Sequence, residues 1–480
     1  DYPTVGSYVQ RSVGTVSATW VFYVNASSEA PGGFNLLSPA NGYHFPAAKS
    51  SKKPTFDWAD AVDPDPLATV TYEIQYSTCS DFSFAISSAG LVISSYSALS
   101  ALKEDATYYW KVGAVNGTNR WTWSATFDFY IPVIDRPKEV ATVKGNRQTN
   151  QFVLSWSPVT KNDDESLLED LDGYNIYRST AIDAVRENFL VKISSWLTSY
   201  STVDLNSYYY LVRAVDTSGI ENRDVNPMIV DSSPAGNVIV QDKNKEVNII
   251  LPKEVNQILY QGGNPYGSDL KVSITEKSEE KVGHILGAYE FKILKATTNE
   301  QISNFSFSQP VEIKFSYASS ISGAPRLSPG LAETGNVAVF WDNGVEYINL
   351  GGKVDTTQKA ISVKSKEVGK YRVQEVMRAT SFEITNRVPW KIFTPNGDTK
   401  NDDFKIYCAN PNLKMVTGEI YDITGAYVTD LEVNREDANL QSILSWNGKN
   451  KDGHLCRDGV YIYQIKSENK TINGTVILAK

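Results

Sequence analysis

The stretch FVLSWSPV at residues 152–159 carries the pattern that decides the fold. Apolar and polar residues alternate along it, as in a strand with one buried face, and Trp156 stands among them. Two later stretches, GYNIYRS (173–179) and YYYLVRAVD (208–216), are rich in aromatic and β-branched residues and lie beyond turn-forming loops. A Trp on an early strand and a Tyr-rich later strand predict a β-sandwich.

The same plan occurs earlier in the chain, in three stretches: PTFDW (54–58), VTYEIQYS (70–77) and YYWKVGAV (108–115). On these residues, regions 33–134 and 135–230 resemble fibronectin type III domains. The positions that match the core of that family in the second region are Trp156, Tyr174 and Tyr208–Tyr210. The resemblance implies a sandwich fold and says almost nothing about function.

Two other regions also read as β-structure. SATWVFYV (17–24) recurs as SATFDFYI (124–131), so we expect residues 1–32 to be the closing strands and linker of a truncated sandwich. Region 231–378 is a series of strand-like segments without a helical period, and 337–355 is predicted to be a hairpin that turns at an Asn-Gly pair. This region resembles the ZU5-like sandwich domains of bacterial surface proteins.

Region 379–480 contains FTPNGDTKNDDFKIY (393–407) and LSWNGKNKDGHLCRDGVYIYQIK (444–466). On these stretches it resembles the gliding-motility-associated C-terminal domain of secreted bacterial proteins and the immunoglobulin-like domain of flagellar hook-capping proteins. The matching positions are Trp446, Gly448, Gly453, Gly459, Val460, Tyr461 and Tyr463. The resemblance implies a type IX secretion signal, and hence an exported protein. The predicted fold class is therefore all-β, with tandem immunoglobulin/fibronectin-like β-sandwich domains in an elongated array.

Composition excludes several classes of partner and activity. The 480 residues carry a formal net charge of −9 without a long Lys/Arg block, which disfavours nucleic acid as a partner. No apolar run reaches the roughly 18 residues of a transmembrane helix. The three histidines, His44, His284 and His454, fall in different predicted domains. Zinc, GxSxG and Walker A motifs are absent, and the acidic stretch 162–172 reads as a solvated loop, so we do not expect an enzyme.

The loop FTPNGDTKNDDF (393–404) offers the strongest cofactor candidate. Side-chain oxygens of Asn396, Asp398, Asn401 and Asp402 could hold a structural Ca²⁺ ion, which prefers six to eight oxygen ligands. An EF-hand is excluded, since Tyr407 stands where its bidentate Glu should be. The alternative is an Asx turn that begins a strand and needs no metal.

The stretch NRWTWSA (119–125) offers the clearest binding signal. Trp121 and Trp123 are two residues apart, so on a strand both rings project from one face. If that face is the core, they only pack inward. If it is the outer face, they form a two-ring platform for a glycan or a partner protein.

Cysteine use is sparse, with only three residues in the chain. Cys408 and Cys456 both fall in the last hundred residues and could pair in an exported protein; two free thiols are the alternative.

We therefore expect a non-enzymatic, exported bacterial surface or extracellular structural protein, a stalk or building block. Its expected partners are copies of itself, in a layer, filament or sheath, or neighbouring surface proteins. An adhesin or carbohydrate-binding part is the alternative. A third reading is the non-catalytic tail of a large secreted hydrolase.

Overall fold

The computed structural model describes residues 27–65, 68–318, 335–398 and 400–480. These residues contain 35 strands and one six-residue α-helix, so the fold is all-β as predicted. The predicted closing strands within 1–32 fall almost entirely outside the described residues.

The chain divides into two compact units, each described here by itself. The first comprises the chain up to Pro137 together with segments 161–172 and 215–221. The second comprises 138–160, 173–214 and 222–480.

The first sandwich consists of nine strands: β1 (Leu36–Ser38), β2 (Tyr43–His44), β3 (Thr55–Trp58), β4 (Val70–Ser77), β5 (Ile86–Leu91), β6 (Ser95–Ser97), β7 (Ala106–Asn116), β8 (Trp121–Trp123) and β9 (Phe127–Ile131). One sheet has the order β1-β3-β6, and the other has the order β2-β9-β7-β4-β5 with β8 paired to β7. Alternate residues of β3 and β4, together with residues of β7, face a shared core that contains Phe56, Trp58, Ile74 and Trp110.

The second sandwich lies largely in the second compact unit and consists of β10 (Val143–Arg147), β11 (Phe152–Trp156), β12 (Leu171–Ser179), β13 (Phe189–Ser194), β14 (Ser199–Thr202), β15 (Tyr209–Asp216) and β16 (Met228–Asp231). One sheet has the order β10-β11-β14, and the other begins β13-β12-β15-β16. Tyr174 is fully buried as predicted, but of Tyr208, Tyr209 and Tyr210 only Tyr210 is fully buried, with its ring against Phe152.

A single buried contact recurs in both sandwiches. In the first, the ring of Trp58 meets the ring of Tyr72 edge to face, with centroids 5.5 Å apart. The hydroxyl of Tyr72 accepts the amide hydrogen of Ala61 at 2.9 Å. In the second, Trp156 and Tyr174 are 5.3 Å apart in the same arrangement. There Tyr174 accepts the amide of Val159, also at 2.9 Å.

The third domain continues the second sheet of the second sandwich. Its strands are β17 (Val238–Gln241), β18 (Val247–Leu251), β19 (Leu270–Glu276), β20 (Ile285–Lys295), β21 (Ser306–Ser316), β22 (Val337–Asp342), β23 (Tyr347–Gly351), β24 (Lys353–Asp355), β25 (Ala360–Glu367) and β26 (Gly369–Glu375), and its helix is α1 (Lys253–Ile258). The continued sheet has nine strands, in the order β13-β12-β15-β16-β17-β18-β21-β25-β24, and faces a five-stranded sheet, β19-β20-β26-β22-β23. Phe291, Phe315 and Tyr371 fill the space between these two sheets. The predicted hairpin is present as β22 and β23.

The fourth domain consists of β27 (Glu383–Val388), β28 (Ile392–Phe393), β29 (Phe404–Ala409), β30 (Val416–Asp422), β31 (Tyr427–Asp430), β32 (Glu432–Glu436), β33 (Gln441–Trp446), β34 (Gly459–Ser467) and β35 (Lys470–Leu478). Its sheets have the orders β27-β29-β33-β32 and β28-β35-β34-β30-β31. Trp446 joins them, since its ring lies 5.2 Å from that of Phe393 and 4.9 Å from that of Tyr461. A short 3-10 helix of this domain occupies Asp437–Asn439, and others in earlier domains occupy Lys49–Lys52, Ile182–Glu187 and Ser278–Glu280.

The recurring Trp–Tyr contact predicts the outcome of two substitutions. Tyr72→Phe and Tyr174→Phe should each destabilise their sandwich by about 1–3 kcal/mol, because the amide of Ala61 or Val159 is left buried without a partner. Guanidinium unfolding followed by tryptophan fluorescence measures the loss. The control is Tyr43→Phe, whose side chain is 43% exposed, and it should change stability by less than about 0.5 kcal/mol. Unchanged stability in both core variants would contradict the assignment.

Candidate functional site

The structure places the two predicted tryptophans on the outer face of the first sandwich. Trp121 and Trp123 lie on β8, opposite Val115 and Gly113 of β7. Their side chains are 37% and 41% exposed, and their rings are nearly parallel, with centroids 5.6 Å apart. Of the two sequence-based alternatives, the structure therefore has the outward-facing pair.

A glycine makes room for this pair. A Cβ atom added at Gly113 would stand 3.0 Å from carbon atoms of both Trp rings, closer than side chains normally approach. The two rings thus cover the backbone of β7 directly. The indole N–H of Trp121 also donates to Oδ1 of Asn119 at 2.9 Å, which holds that ring in place.

Polar groups surround the rings on the same face. The ammonium of Lys111 lies 4.9 Å from the Trp123 ring centroid and 4.2 Å from that of Phe82, within cation–π range. On the neighbouring strand β4, Glu73 and Gln75 stand opposite Gly113 and Lys111. The amide of Gln75 donates to Oε1 of Glu73 at 2.9 Å. We call this surface the tryptophan face; its members are Glu73, Gln75, Lys111, Gly113, Trp121 and Trp123.

The tryptophan face presents two kinds of chemical group, aromatic rings and polar side chains. Exposed indole rings present flat apolar surface with an electron-rich face, which attracts the C–H groups of a sugar ring or a cationic group. A carboxylate, an amide and an ammonium beside the rings can exchange hydrogen bonds with hydroxyl groups. These groups are chemically complementary to a flat ligand that carries hydroxyl groups.

The loop that contains the predicted calcium ligands forms successive Asx turns. The amides of Asp398 and Lys400 donate to the side-chain oxygens of Asn396 at 3.0 Å and Asp398 at 2.8 Å. The carboxylate of Asp402 accepts the amide of Gly397 at 2.7 Å. The structure thus has the turn that was the alternative to a metal site.

Asn401 completes this loop. It adopts a left-handed φ of 54°, and its carbonyl oxygen accepts the amide of Thr394 at 2.8 Å. The side-chain oxygens described above keep further lone pairs, so bound calcium at Asn396, Asp398, Asn401 and Asp402 stays a prediction.

The cysteines differ from the predicted disulfide, since Cys408 and Cys456 are both free thiols. Cys408 projects from β29 into the core of the fourth domain and is fully buried. Cys456 packs against the same core from a loop. Burial raises the pKa of the Cys408 thiol to about 12, so this side chain behaves as a small apolar group.

A further group of charged residues was not found by sequence reasoning. Lys52, Glu104, Asp135 and Asp170 come from four separate segments, all within the first compact unit. We call them the Lys52 cluster. The Lys52 ammonium lies 2.8 Å from Oε1 of Glu104 and 2.9 Å from Oδ2 of Asp170. The acidic loop 162–172 is therefore not simply solvated as predicted, because its Asp170 takes part in an ion-pair network.

Carboxylates outnumber the ammonium groups in and beside the Lys52 cluster. Burial, and then the nearby charge of Glu104, raise the pKa of Asp135 to about 6. Burial works to lower the pKa of Lys52, but hydrogen bonds and charge from Glu104 and Asp170 outweigh it and raise the pKa above its ordinary value. Lys52 thus pairs with two of the three carboxylates, and the more exposed Lys49 lies 3.8 Å from the third, Asp135. No local sequence signal marks the group, because the four residues are brought together only by the fold.

Comparison with known proteins identifies one domain. Residues 386–478 match the CHU_C Type IX secretion signal domain. Export to the cell surface or the extracellular space follows from that domain, and the chain is thus a secreted or surface protein of bacterial type. In the described part of the chain, no helix is long and apolar enough to cross a membrane.

Two broader comparisons add little. A solved structure, the crystal structure of chicken CNTN1 FN1-FN3 domains, is 16% identical to this chain. The match covers 44% of this chain and 71% of that one, with a TM-score of 0.21. No curated protein matches the chain significantly.

Proposed function

We propose that the chain is a non-enzymatic structural protein, a stalk or building block whose second, third and fourth domains are fused into a stiff support. The observation that carries this proposal is the nine-stranded sheet, which runs from the second sandwich into the third domain without a break. Domains joined only by flexible linkers move independently by default. Continuous backbone hydrogen bonding across a domain boundary removes that freedom.

The seam between these two domains lies at strands β16 and β17. Met228, Ile229 and Val230 pair in antiparallel register with Val240, Ile239 and Val238. An apolar cluster covers one face of the seam and draws members from both domains: Tyr177, Val185, Leu211, Ile229 and Ile239. Separation of the two domains would expose this apolar cluster to water and break the hydrogen bonds between β16 and β17. Both changes cost free energy and so oppose separation.

The third and fourth domains are joined by buried amide side chains. Asn439 is 3% exposed, and its side chain bonds both to the amide of Lys364 at 2.7 Å and to the carbonyl of Lys364 at 2.8 Å. Gln441 donates to the carbonyl of Asn349 at 2.6 Å. The side-chain amide of Asn439 therefore bonds the backbone of Lys364 as a neighbouring strand would. These bonds hold the fourth domain in a defined orientation to the third.

Mechanical unfolding tests the fused sheet. When the full chain is stretched in a single-molecule force experiment, the second sandwich and third domain should unfold in one event. That event should release roughly 800 Å of chain for residues 138–378, since each residue spans about 3.3–3.6 Å when extended. Two separate events of smaller extension would show that the seam does not couple the domains and would contradict the proposal.

The amide joint makes a separate prediction. Asn439→Ala removes the side chain that bonds the partly buried N–H and C=O of Lys364, so the joint should lose about 1 kcal/mol. Hydrogen exchange at the Lys364 amide should become several-fold faster. The matched control is Asn434→Ala, an exposed Asn bonded to Glu436 within the same strand, which should leave this exchange rate unchanged. Unaltered exchange in Asn439→Ala would show that the joint does not depend on this side chain.

A second candidate function, adhesion through carbohydrate, is favoured by the tryptophan face. Its two exposed rings lie beside carboxylate, amide and ammonium groups, as described above. A surface protein with such a face could hold a glycan while the remaining domains act as the support.

Binding to a glycan array, followed by calorimetry with the oligosaccharide that binds best, tests this function. Trp121→Ala/Trp123→Ala should weaken binding at least tenfold. Gly113→Val should do the same, because its side chain displaces both rings. The matched controls are Trp196→Ala, which removes a Trp that is 81% exposed elsewhere, and Gly117→Ala, whose added Cβ meets no atom within 4 Å. Failure of every glycan to bind, or equal binding by all variants, would contradict the adhesive function and leave the structural one intact.

A further inference from the structure

The Lys52 cluster holds more negative charge than its own ammonium offsets. Glu104, Asp135 and Asp170 each offer a carboxylate oxygen, and these three atoms lie within 4.8 Å of one another. Together the carboxylates carry three negative charges when ionised. Lys52 supplies one positive charge, and Lys49, whose side chain is 56% exposed, supplies a second from 3.8 Å away at Oδ2 of Asp135. A net negative charge remains, and it favours a bound cation.

Burial makes this imbalance costly. The side chain of Glu104 is 0% exposed and that of Asp135 is 9% exposed. Oδ1 of Asp135 is buried and has no hydrogen-bond partner. Oδ2 of Asp216, a residue that is 1% exposed, also has none. Burial, and then the negative charges of Asp170 and Glu104, raise the pKa of Asp216. Buried carboxylate oxygens are normally paired or bound to a cation, so these two oxygens call for a partner.

The cluster is also accessible. A cleft of about 400 Å³ opens beside it in the first compact unit, lined among others by Lys52, Asp135, Asp170 and Ser218. A hydrated ion could enter through this cleft.

We propose that Glu104, Asp135 and Asp170 form a divalent cation site, selective for Ca²⁺, in which Lys52 occupies the cation position when the ion is absent. The donors are all oxygen atoms, which suits Ca²⁺ and disfavours softer metals such as Zn²⁺. Carboxylates that bind in bidentate fashion supply up to six oxygen ligands, and water from the cleft completes the shell. Binding would move the Lys52 ammonium outward.

The site would connect three segments of the first unit. Glu104 precedes β7, Asp135 follows β9, and Asp170 precedes β12. The Glu104 carboxylate already accepts the amides of Ile134 and Asp135 at 2.5 and 3.3 Å, which positions the segment after β9. A cation bound to all three carboxylates would fix that segment to loop 161–172.

Calorimetric titration with Ca²⁺ after exhaustive EDTA treatment tests the site. All proteins carry Asp398→Asn and Asp402→Asn, so that any ion held by the loop of the fourth domain does not contribute. We expect one ion per chain with a Kd of about 10⁻⁴–10⁻³ M, the range of extracellular calcium modules. Asp135→Asn and Asp170→Asn should each weaken binding at least tenfold. Loss of all binding in the common background would overturn the proposal.

Lys52→Met separates a cation site from a purely structural ion pair. On our proposal, removal of the competing ammonium strengthens Ca²⁺ binding at least tenfold, and Ca²⁺ restores the melting temperature that the variant loses in EDTA. If Lys52 only neutralises buried carboxylates, the variant loses stability and Ca²⁺ restores none of it, which would also overturn the proposal. The control Lys53→Met removes a neighbouring ammonium that lines the same cleft and should leave Ca²⁺ affinity unchanged.

Discussion

The hydrogen bond from an amide just beyond a strand to a buried tyrosine hydroxyl holds the two sheets of the first and second sandwiches together. The Trp stands on the three-stranded sheet, on β3 or β11, and the Tyr stands on the facing sheet, on β4 or β12. Because an amide buried without a partner is costly, this bond sets the register between sheets that share no backbone ladder. The edge-to-face ring contact adds apolar burial at the same point. A single side chain thus fixes both the spacing and the relative position of the layers.

Whether the edge strand of a sheet is paired by another strand determines how the second and third domains are connected. An unpaired edge strand is a template for association with other chains. In the second sandwich, β16 would be such an edge, and β17 pairs with it. The third domain therefore begins as an extension of an existing sheet, which explains why the boundary predicted between 230 and 231 falls inside a continuous ladder. The connection between the two domains thus consists of strand pairing as well as the chain between them.

Sequence predicted the local features well and the non-local ones poorly. Alternation and the Trp and Tyr positions predicted the sandwiches, because strand period and core burial are local properties. The run LVRAV (211–215) does not alternate, and β15 is indeed buried on both faces, so a signal for the fused sheet was present. The spacing of Trp121 and Trp123 gave a shared face, but which face depends on pairing with β7. The Lys52 cluster joins residues 118 positions apart, and only the fold reveals it.

Equivalent strands of the two sandwiches differ at a few residues, which decide whether the outer face is covered or exposed. YYWKVGAV (108–115) and YYYLVRAV (208–215) share their inward positions, where Trp110 and Tyr210 are both buried. Their outward positions differ. Leu211 belongs to the apolar cluster that the third domain covers, whereas Lys111 at the equivalent position remains beside an exposed ring. Gly113 admits two indole rings where the second sandwich has an arginine. The same strand plan therefore produces a buried joint in one domain and an exposed aromatic surface in the other.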